Sequence, residues 1–259
     1  MRGDGNATHY ALALFCQRPV IASLTVFDQN TDGNNSFCCK QGWAGGKNRN
    51  APCLASQEKN TMTDTAATFE NDQIGAAPKG WIATLTGKGS SKWTVEIDEM
   101  TPSKPRVLKQ SGQATFPLLL KDDTRIEDGF LEFRFKAVGG SADRAAGLVW
   151  RARDANNYYV VRANALEDNV VLYKTVNGVR SALDIVGRTG GYGVAIPVPA
   201  NRWHRLRIDF VGSRFRASYN GTQLFEVEDS TFKNAGKLGL WTKADSVTLF
   251  DQITYGETI

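Results

Sequence analysis

Apolar and polar residues alternate along most of the chain from Thr65 onward. In Phe130–Lys136, Leu131, Phe133 and Phe135 are interleaved with Glu132, Arg134 and Lys136. That is the period of a strand with one dry face and one wet face. The same reading predicts strands at Trp93–Asp98, Gly147–Arg153, Tyr158–Asn164, Asn169–Val176, Leu238–Lys243 and Val247–Tyr255. The clearest unit is a meander over Arg202–Glu228. His204, Leu206, Ile208 and Phe210 share one face of its first strand, and Arg205, Arg207 and Asp209 take the other. Gly212-Ser213 turns the chain into Arg214–Tyr219, whose dry set is Phe215, Ala217 and Tyr219. Asn220-Gly221 is the pair preferred in a type I′ hairpin, where both central residues need positive φ, and the strand Leu224–Glu228 follows. Short strands, tight Gly/Asn turns and the lack of an amphipathic helix define an all-β antiparallel sandwich or barrel.

Residues 1–64 read differently. Asn30–Asn60 is crowded with Asn, Gly, Lys, Gln and Ser and sustains neither a period of two nor a helical one, which predicts a poorly structured leader of low complexity. All four cysteines, Cys16, Cys38, Cys39 and Cys53, fall in it without a Cys-x-x-Cys pair, so the domain predicted over 65–259 owes nothing to disulfides. Its apolar runs, Ala11–Cys16 and Ile21–Phe27, are far short of the roughly 20 residues of a spanning helix, so membrane insertion is not expected. Asp4 beside Arg2, and Gln17-Arg18-Pro19 within the apolar stretch, make a poor secretory signal. The net charge of +4 arises from 31 basic and 27 acidic residues without a basic block, so nucleic acid is not an expected partner.

Several chemistries are disfavoured by what is missing. Glu96 and Asp98 share a strand face, yet Met100 or Thr101 stands where a retaining glycosidase of the Glu-x-Asp-x-Glu type needs its third carboxylate. His9 and His204 are the only histidines, and no Gly-x-Ser-x-Gly elbow occurs, which argues against a nucleophilic triad. His204, on the face of Leu206 and Ile208, reads as a packed strand residue. No clustered histidines offer a catalytic zinc site. Gly190-Gly191-Tyr192-Gly193 precedes Pro197 and Pro199 rather than a helix, and reads as a flexible loop instead of a phosphate cradle.

What remains is a polar and aromatic face. Period two sets Tyr158, Val160, Arg162 and Asn164 on one side of a strand. Arg151 ends the strand before it, Asn169 and Tyr173 lie on the strand after it, and Trp241 and Lys243 share a face later in the chain. Flat rings pack on the C–H faces of sugars while Arg, Asn and carboxylates read hydroxyls, so such a set suits a sugar-lined site. Arg205, Arg207, Arg214 and Arg216 face away from the dry side of their meander and read as a solvated outer surface, with a polyanion site as the alternative.

The stretches Gly147-Leu-Val-Trp-Arg151 and Asn156–Asn169, with Trp203-His204, Asn220-Gly221, Gly239–Ser246, Phe250-Asp251, Phe69–Asp72 and Pro78–Trp81, resemble a bacterial family. It is the family known as domain of unknown function 1080, also called 3-keto-disaccharide hydrolase or family 16-like glycoside hydrolase. The resemblance runs from Ala67 to Gly256 and leaves out the leader. It implies a concanavalin A-like jelly roll with a concave sheet facing carbohydrate, in a periplasmic or secreted protein. It also implies a structural calcium ion where the first and last strands meet, with Asp72 and Asp251 as ligands. On this reading the domain binds or processes a carbohydrate, by hydrolysis or elimination of a modified (keto) glycoside if it is an enzyme. Arg151, Arg162 and Asn164 would orient hydroxyls with Lys243 nearby, Tyr173 or Trp241 would stack, and Glu167 or Asp245 would be the acid/base. Two alternatives stand beside it. One is a non-catalytic glycan-binding module, favoured by the missing third carboxylate and the lack of a usable histidine. The other is a calcium-dependent hydrolase of a small ester or lactone, the metal polarising the carbonyl.

Overall fold

The computed structural model describes residues 64–258. The leader predicted over residues 1–64 falls, apart from Asp64, outside that range, as do His9 and the four cysteines. Among the described residues every regular element is a strand. The first five are β1 (Thr65–Ala67), β2 (Trp81–Ser90), β3 (Trp93–Ile97), β4 (Arg106–Gln110) and β5 (Gln113–Lys121). Next come β6 (Gly129–Gly139), β7 (Ala145–Asp154), β8 (Asn157–Asn164), β9 (Asn169–Val176), β10 (Val179–Ala182) and β11 (Val194–Ala195). The last are β12 (His204–Val211), β13 (Arg214–Tyr219), β14 (Thr222–Glu228), β15 (Lys237–Trp241) and β16 (Val247–Glu257).

These strands form two eight-stranded antiparallel sheets. Sheet A runs β14-β13-β12-β6-β16-β4-β3, with β1 added to β16, and sheet B runs β10-β9-β8-β7-β15-β5-β2, with β11 added to β9. The chain passes repeatedly from one sheet to the other, as between β6 and β7 or β14 and β15, so each layer is built from distant segments. The alternation predicted for β6 is the one observed: Leu131, Phe133 and Phe135 are buried, and Glu132, Arg134 and Lys136 are partly exposed. The meander holds too. Asn220 and Gly221 adopt φ of 50° and 86°, as a type I′ turn requires.

The inner faces meet in one large core that is rich in rings. Trp150 of sheet B stacks on Tyr159 at 5.3 Å and meets Phe215 of sheet A edge-on at 5.3 Å. Phe133 and Phe250, on neighbouring strands of sheet A, meet edge-on at 5.3 Å. Burying each such side chain stabilises the fold by roughly 1.5–3 kcal/mol. His204 belongs to this layer as expected. Its Nε2 lies 2.8 Å from the Pro199 carbonyl, and its Nδ1 lies 2.8 Å from the Tyr219 hydroxyl. A carbonyl can only accept, so the proton is on Nε2 and Nδ1 accepts from Tyr219. Burial, ahead of every other influence, holds His204 below the usual histidine range.

The outer face of sheet A is ordinary charged surface. Glu226 pairs with Arg214 at 3.3 Å and Arg216 at 2.8 Å, Arg214 also reaches Glu228 at 2.7 Å, and Arg207 binds Asp209 within the same strand. Glu96 and Asp98 are held by Lys109 and Lys136 on this sheet, away from sheet B. The outer face of sheet B differs. It carries a second apolar cluster that includes Leu118, Val149, Tyr158, Val160, Val171, Tyr173 and Trp241. Tyr158, Val160 and Trp241 show 0% exposure although they face away from the core. Side chains can be that covered on an outer face only where neighbours rise around them, so this face is cupped.

Candidate functional site

The β8–β9 hairpin supplies most of the polar groups on the cupped face. Along β8, Tyr159, Val161 and Ala163 enter the core, which leaves Tyr158, Val160, Arg162 and Asn164 on the outer side. Asn164 then shapes the turn. Its Oδ1 accepts the N–H of Leu166 at 2.8 Å and of Glu167 at 3.3 Å, an Asx turn that folds Glu167 back over the strand. The same amide donates from Nδ2 to Glu167 Oε1 at 3.1 Å and to Asp143 Oδ1 at 3.0 Å.

Arg162 is the hub. Its Nη2 donates to Glu167 Oε2 at 2.7 Å and lies 3.0 Å from the Tyr192 hydroxyl and 3.1 Å from that of Tyr173, while Nη1 donates to Asn169 Oδ1. Asn169 in turn donates to Glu167 Oε2 at 3.1 Å. Asp143, 2% exposed, is bound by Lys243 Nζ at 2.5 Å. Burial works to raise the Glu167 pKa, but the Arg162 charge, the Asn169 hydrogen bond and Lys243 outweigh it, and the carboxyl sits below the usual glutamate range. Burial also lifts the Tyr173 phenol well above its ordinary value, so it stays neutral. Arg162 itself, at 2% exposure, presents little of its guanidinium outward. The groups that reach solvent are Glu167 with 36% of its side chain exposed, Lys243 with 32%, and Tyr192, a residue 49% exposed.

The structure thus gathers Arg162, Asn164, Glu167, Tyr173 and Lys243 on one face, with Trp241 on the same sheet. It places four other predicted site residues elsewhere. Arg151 is turned into the sandwich. β7 carries a bulge between Trp150 and Asp154, and Arg151 has φ of 48°, so Val149 and Ala152 share the outer face and Arg151 points inward. There its guanidinium donates to the Glu127 carbonyl at 2.8 Å, the Phe232 carbonyl at 2.9 Å and Asp128 Oδ1 at 2.9 Å. Asp245 is a loop cap. Its carboxylate accepts the N–H groups of Ser141, Ala142 and Asp143 at 2.8, 3.0 and 2.9 Å, which holds it far below the usual aspartate range. A carboxyl so held cannot donate a proton at neutral pH. Asp245 instead positions the loop that presents Asp143.

Tyr173 and Trp241, at 3% and 0% exposure, are too deep to offer a bare ring to a sugar as predicted. The accessible ring is Tyr192, which the reading of its glycine-rich segment passed over. Asp143 was missed as well, since its partners Asn164 and Lys243 are distant in the chain.

The calcium expectation fails a test of fit. Asp251 Oδ1 and Oδ2 accept the Ser103 hydroxyl at 2.7 and 2.6 Å, Oδ2 also accepts the Thr101 hydroxyl at 2.5 Å, and Oδ1 accepts the Gln252 N–H at 2.7 Å. Asp72 caps the Lys79 N–H at 3.0 Å. The backbone oxygens of Glu70 and Asp72, which a hard cation would use, already accept from Arg106 Nη1. A guanidinium occupies the place of positive charge. No group of three or more His, Cys, Asp or Glu that could hold a metal gathers among the described residues. A cavity of about 390 Å³ beside Asp251, bordered by Arg106 and Arg134, leaves none of its lining polar side chains buried without a partner.

The layers, their order and the cupped outer face define the class: an all-β sandwich of the concanavalin A-like jelly-roll kind. Solved structures that share this fold at low identity include the following two. The carbohydrate binding module CBM66 from Bacillus subtilis superposes with a TM-score of 0.53 at 21% identity, over 68% of this chain and 95% of the module. The cellulose-induced protein Cip1 does so with a TM-score of 0.50 at 12% identity, over 74% of this chain and 96% of its own. No family model and no curated protein matches the chain. Among the described residues no helix is long and apolar enough to cross a membrane.

Proposed function

We propose that the domain is a non-catalytic carbohydrate-binding module whose ligand lies on the outer face of sheet B. One observation carries the reading: a partly exposed carboxylate, Glu167, is locked by Arg162, Asn164 and Asn169 into one orientation and kept ionised. An ionised, oriented carboxylate is a strong acceptor for the paired hydroxyls of a pyranose or furanose ring. Tyr192 offers the apolar surface beside it, and Lys243 a donor. Glycoside hydrolysis needs a second reachable carboxyl, protonated as general acid. Asp143 is too buried to serve, and Asp245 is engaged by backbone N–H groups. The resemblance to the 3-keto-disaccharide hydrolase family and the fold shared with a carbohydrate binding module both support a saccharide ligand.

The test is a glycan array followed by calorimetry on the hits, run beside turnover assays on keto-glycosides, polysaccharides and lactones. Saturable binding without turnover is expected. Product release that Glu167→Gln abolishes would make the domain a hydrolase and overturn the binding-module reading.

A further inference from the structure

Next to the Arg162 hub, on the same face, β10 carries a second guanidinium. Arg180 lies directly across from Thr175 in the β9–β10 pairing. Its Cζ is 4.2 Å from the centroid of the Tyr173 ring, 4.7 Å from that of Phe116 and 5.4 Å from that of Trp241. Phe116 and Trp241 are themselves stacked at 5.3 Å, so the guanidinium rests on a continuous aromatic floor. Such a floor fixes the plane of the fork and strips water from one side of it.

One polar atom at this spot is left without a partner: Arg180 Nη1 is buried and makes no hydrogen bond, whereas Trp241 and Thr175 have the Tyr158 hydroxyl beside their polar atoms. A buried guanidinium nitrogen without a partner is unusual in a folded domain, where buried polar atoms are nearly always paired. The charges around it sharpen the point. Arg162 is matched by Glu167 and Lys243 by Asp143, whereas Arg180 forms no ion pair among the described residues. A guanidinium does not lose its proton to relieve this, so the cupped face retains one unmatched positive charge.

We infer that Arg180 anchors an anionic group, a carboxylate or a sulfate ester, on a saccharide bound across the outer face of sheet B. This rests on the carbohydrate reading above and adds the class of sugar. The planar fork of Arg180 matches two oxygens of such a group. Glu167 would meanwhile hold hydroxyls elsewhere on the same saccharide. A neutral glycan would satisfy Glu167 and leave Arg180 as it stands.

Matched probes test this: oligogalacturonate against its methyl ester, and a sulfated galactan oligosaccharide against its desulfated form. Each is titrated by calorimetry into wild type, Arg180→Gln and Arg180→Lys, with thermal denaturation to check folding. Wild type should prefer the charged member of one pair by roughly tenfold or more, and the pair that shows it identifies the group. Arg180→Gln should erase the preference while keeping the affinity for the neutral member, and Arg180→Lys should keep part of it, since an ammonium has charge but no fork. Equal binding of charged and neutral members by wild type, or a preference that survives in Arg180→Gln, overturns the role of Arg180 and leaves the carbohydrate reading intact. If no member of either pair binds, and the neutral glycan array is also blank, the carbohydrate reading falls and this inference with it.

Discussion

On the outer face of sheet A, Arg214 and Arg216 stand in water beside Glu226; on the outer face of sheet B, Arg162 is 2% exposed and bound to Glu167, Asn169 and two phenols. Both faces belong to sheets of the same size in one domain. The charges on sheet A can be exchanged at small cost, because Arg214 and Arg216 are more than half exposed and their ion pairs are screened by solvent. Those on sheet B form a connected network over an apolar bed. Removing one member strands the others in a poorly hydrated place. A surface that only has to meet water needs alternation alone. A surface that holds charge at near-zero exposure has been shaped for something besides solubility.

The contrast can be broken most directly at its two arginines. Arg162→Met should cost about 3–5 kcal/mol, lower Tm by roughly 10 °C and abolish glycan binding, whereas Arg216→Ala should leave Tm within error of wild type. Equal thermal shifts for the two would erase the distinction. Asp245→Ala comes next. It frees three backbone N–H groups of the 141–143 loop and should cost about 1–2 kcal/mol, read by chemical denaturation. Any sugar binding should persist, because Asp245 acts through Asp143 rather than on the ligand.

Glu167→Gln sharpens the comparison from the ligand side. Affinity should fall roughly tenfold, and Tm should fall by less than in Arg162→Met, since the Gln amide still offers Arg162 an oxygen but not a charge. The pH dependence follows from its depressed pKa. The carboxylate is ionised in the folded state throughout the neutral range, so wild-type affinity should be flat there. It should drop only as the pH falls through the folded-state value, below the ordinary glutamate range. The stability that the Arg162 pair contributes is complete above the unfolded-state value and is lost over the same descent. In Glu167→Gln the calorimetric titration should show no such drop. The smallest effect belongs to metal removal. With Arg106 on the carbonyl oxygens of Glu70 and Asp72, EDTA should leave Tm unchanged, and a clear fall would restore calcium to Asp72 and Asp251.

The strand pattern was legible wherever one face is wet. Asn169–Val176 was read with the bounds observed, and β6, β12 and β13 alternate as expected. β5 was missed because Leu118, Leu119 and Leu120 are all buried, some under the core and some under the cup, so the run shows no period. β8 is buried on both faces, so its Arg162 side was assigned only by counting alternate residues along the strand, a count that no bulge interrupts in β8. Arg151 was misplaced because a bulge leaves no mark in composition, and one extra residue reverses every side chain after it. Arg180 had a signal that went unused. Asn177-Gly178, with φ of 49° and 80°, is the same hairpin pair as Asn220-Gly221 and announces β10. The contribution of Tyr192 could not be read from its neighbours, since its place depends on contacts with Arg162 and Tyr173.

Arg162, Asn164, Glu167 and Asn169 all come from eight consecutive positions at the tip of one hairpin. The alternate residues Val161, Ala163 and Val170 root that tip in the core. Asp168, with φ of 47°, fastens the far side of the turn to the Val198 N–H at 2.7 Å. The tip therefore behaves like a cassette: its outward letters can be rewritten while its roots stay put. Exchange of Glu167 and Asn169 alone, with Asn164 and Asp168 kept to hold the turn, offers evolution, or an engineer, a compact route to a new surface on an unchanged scaffold.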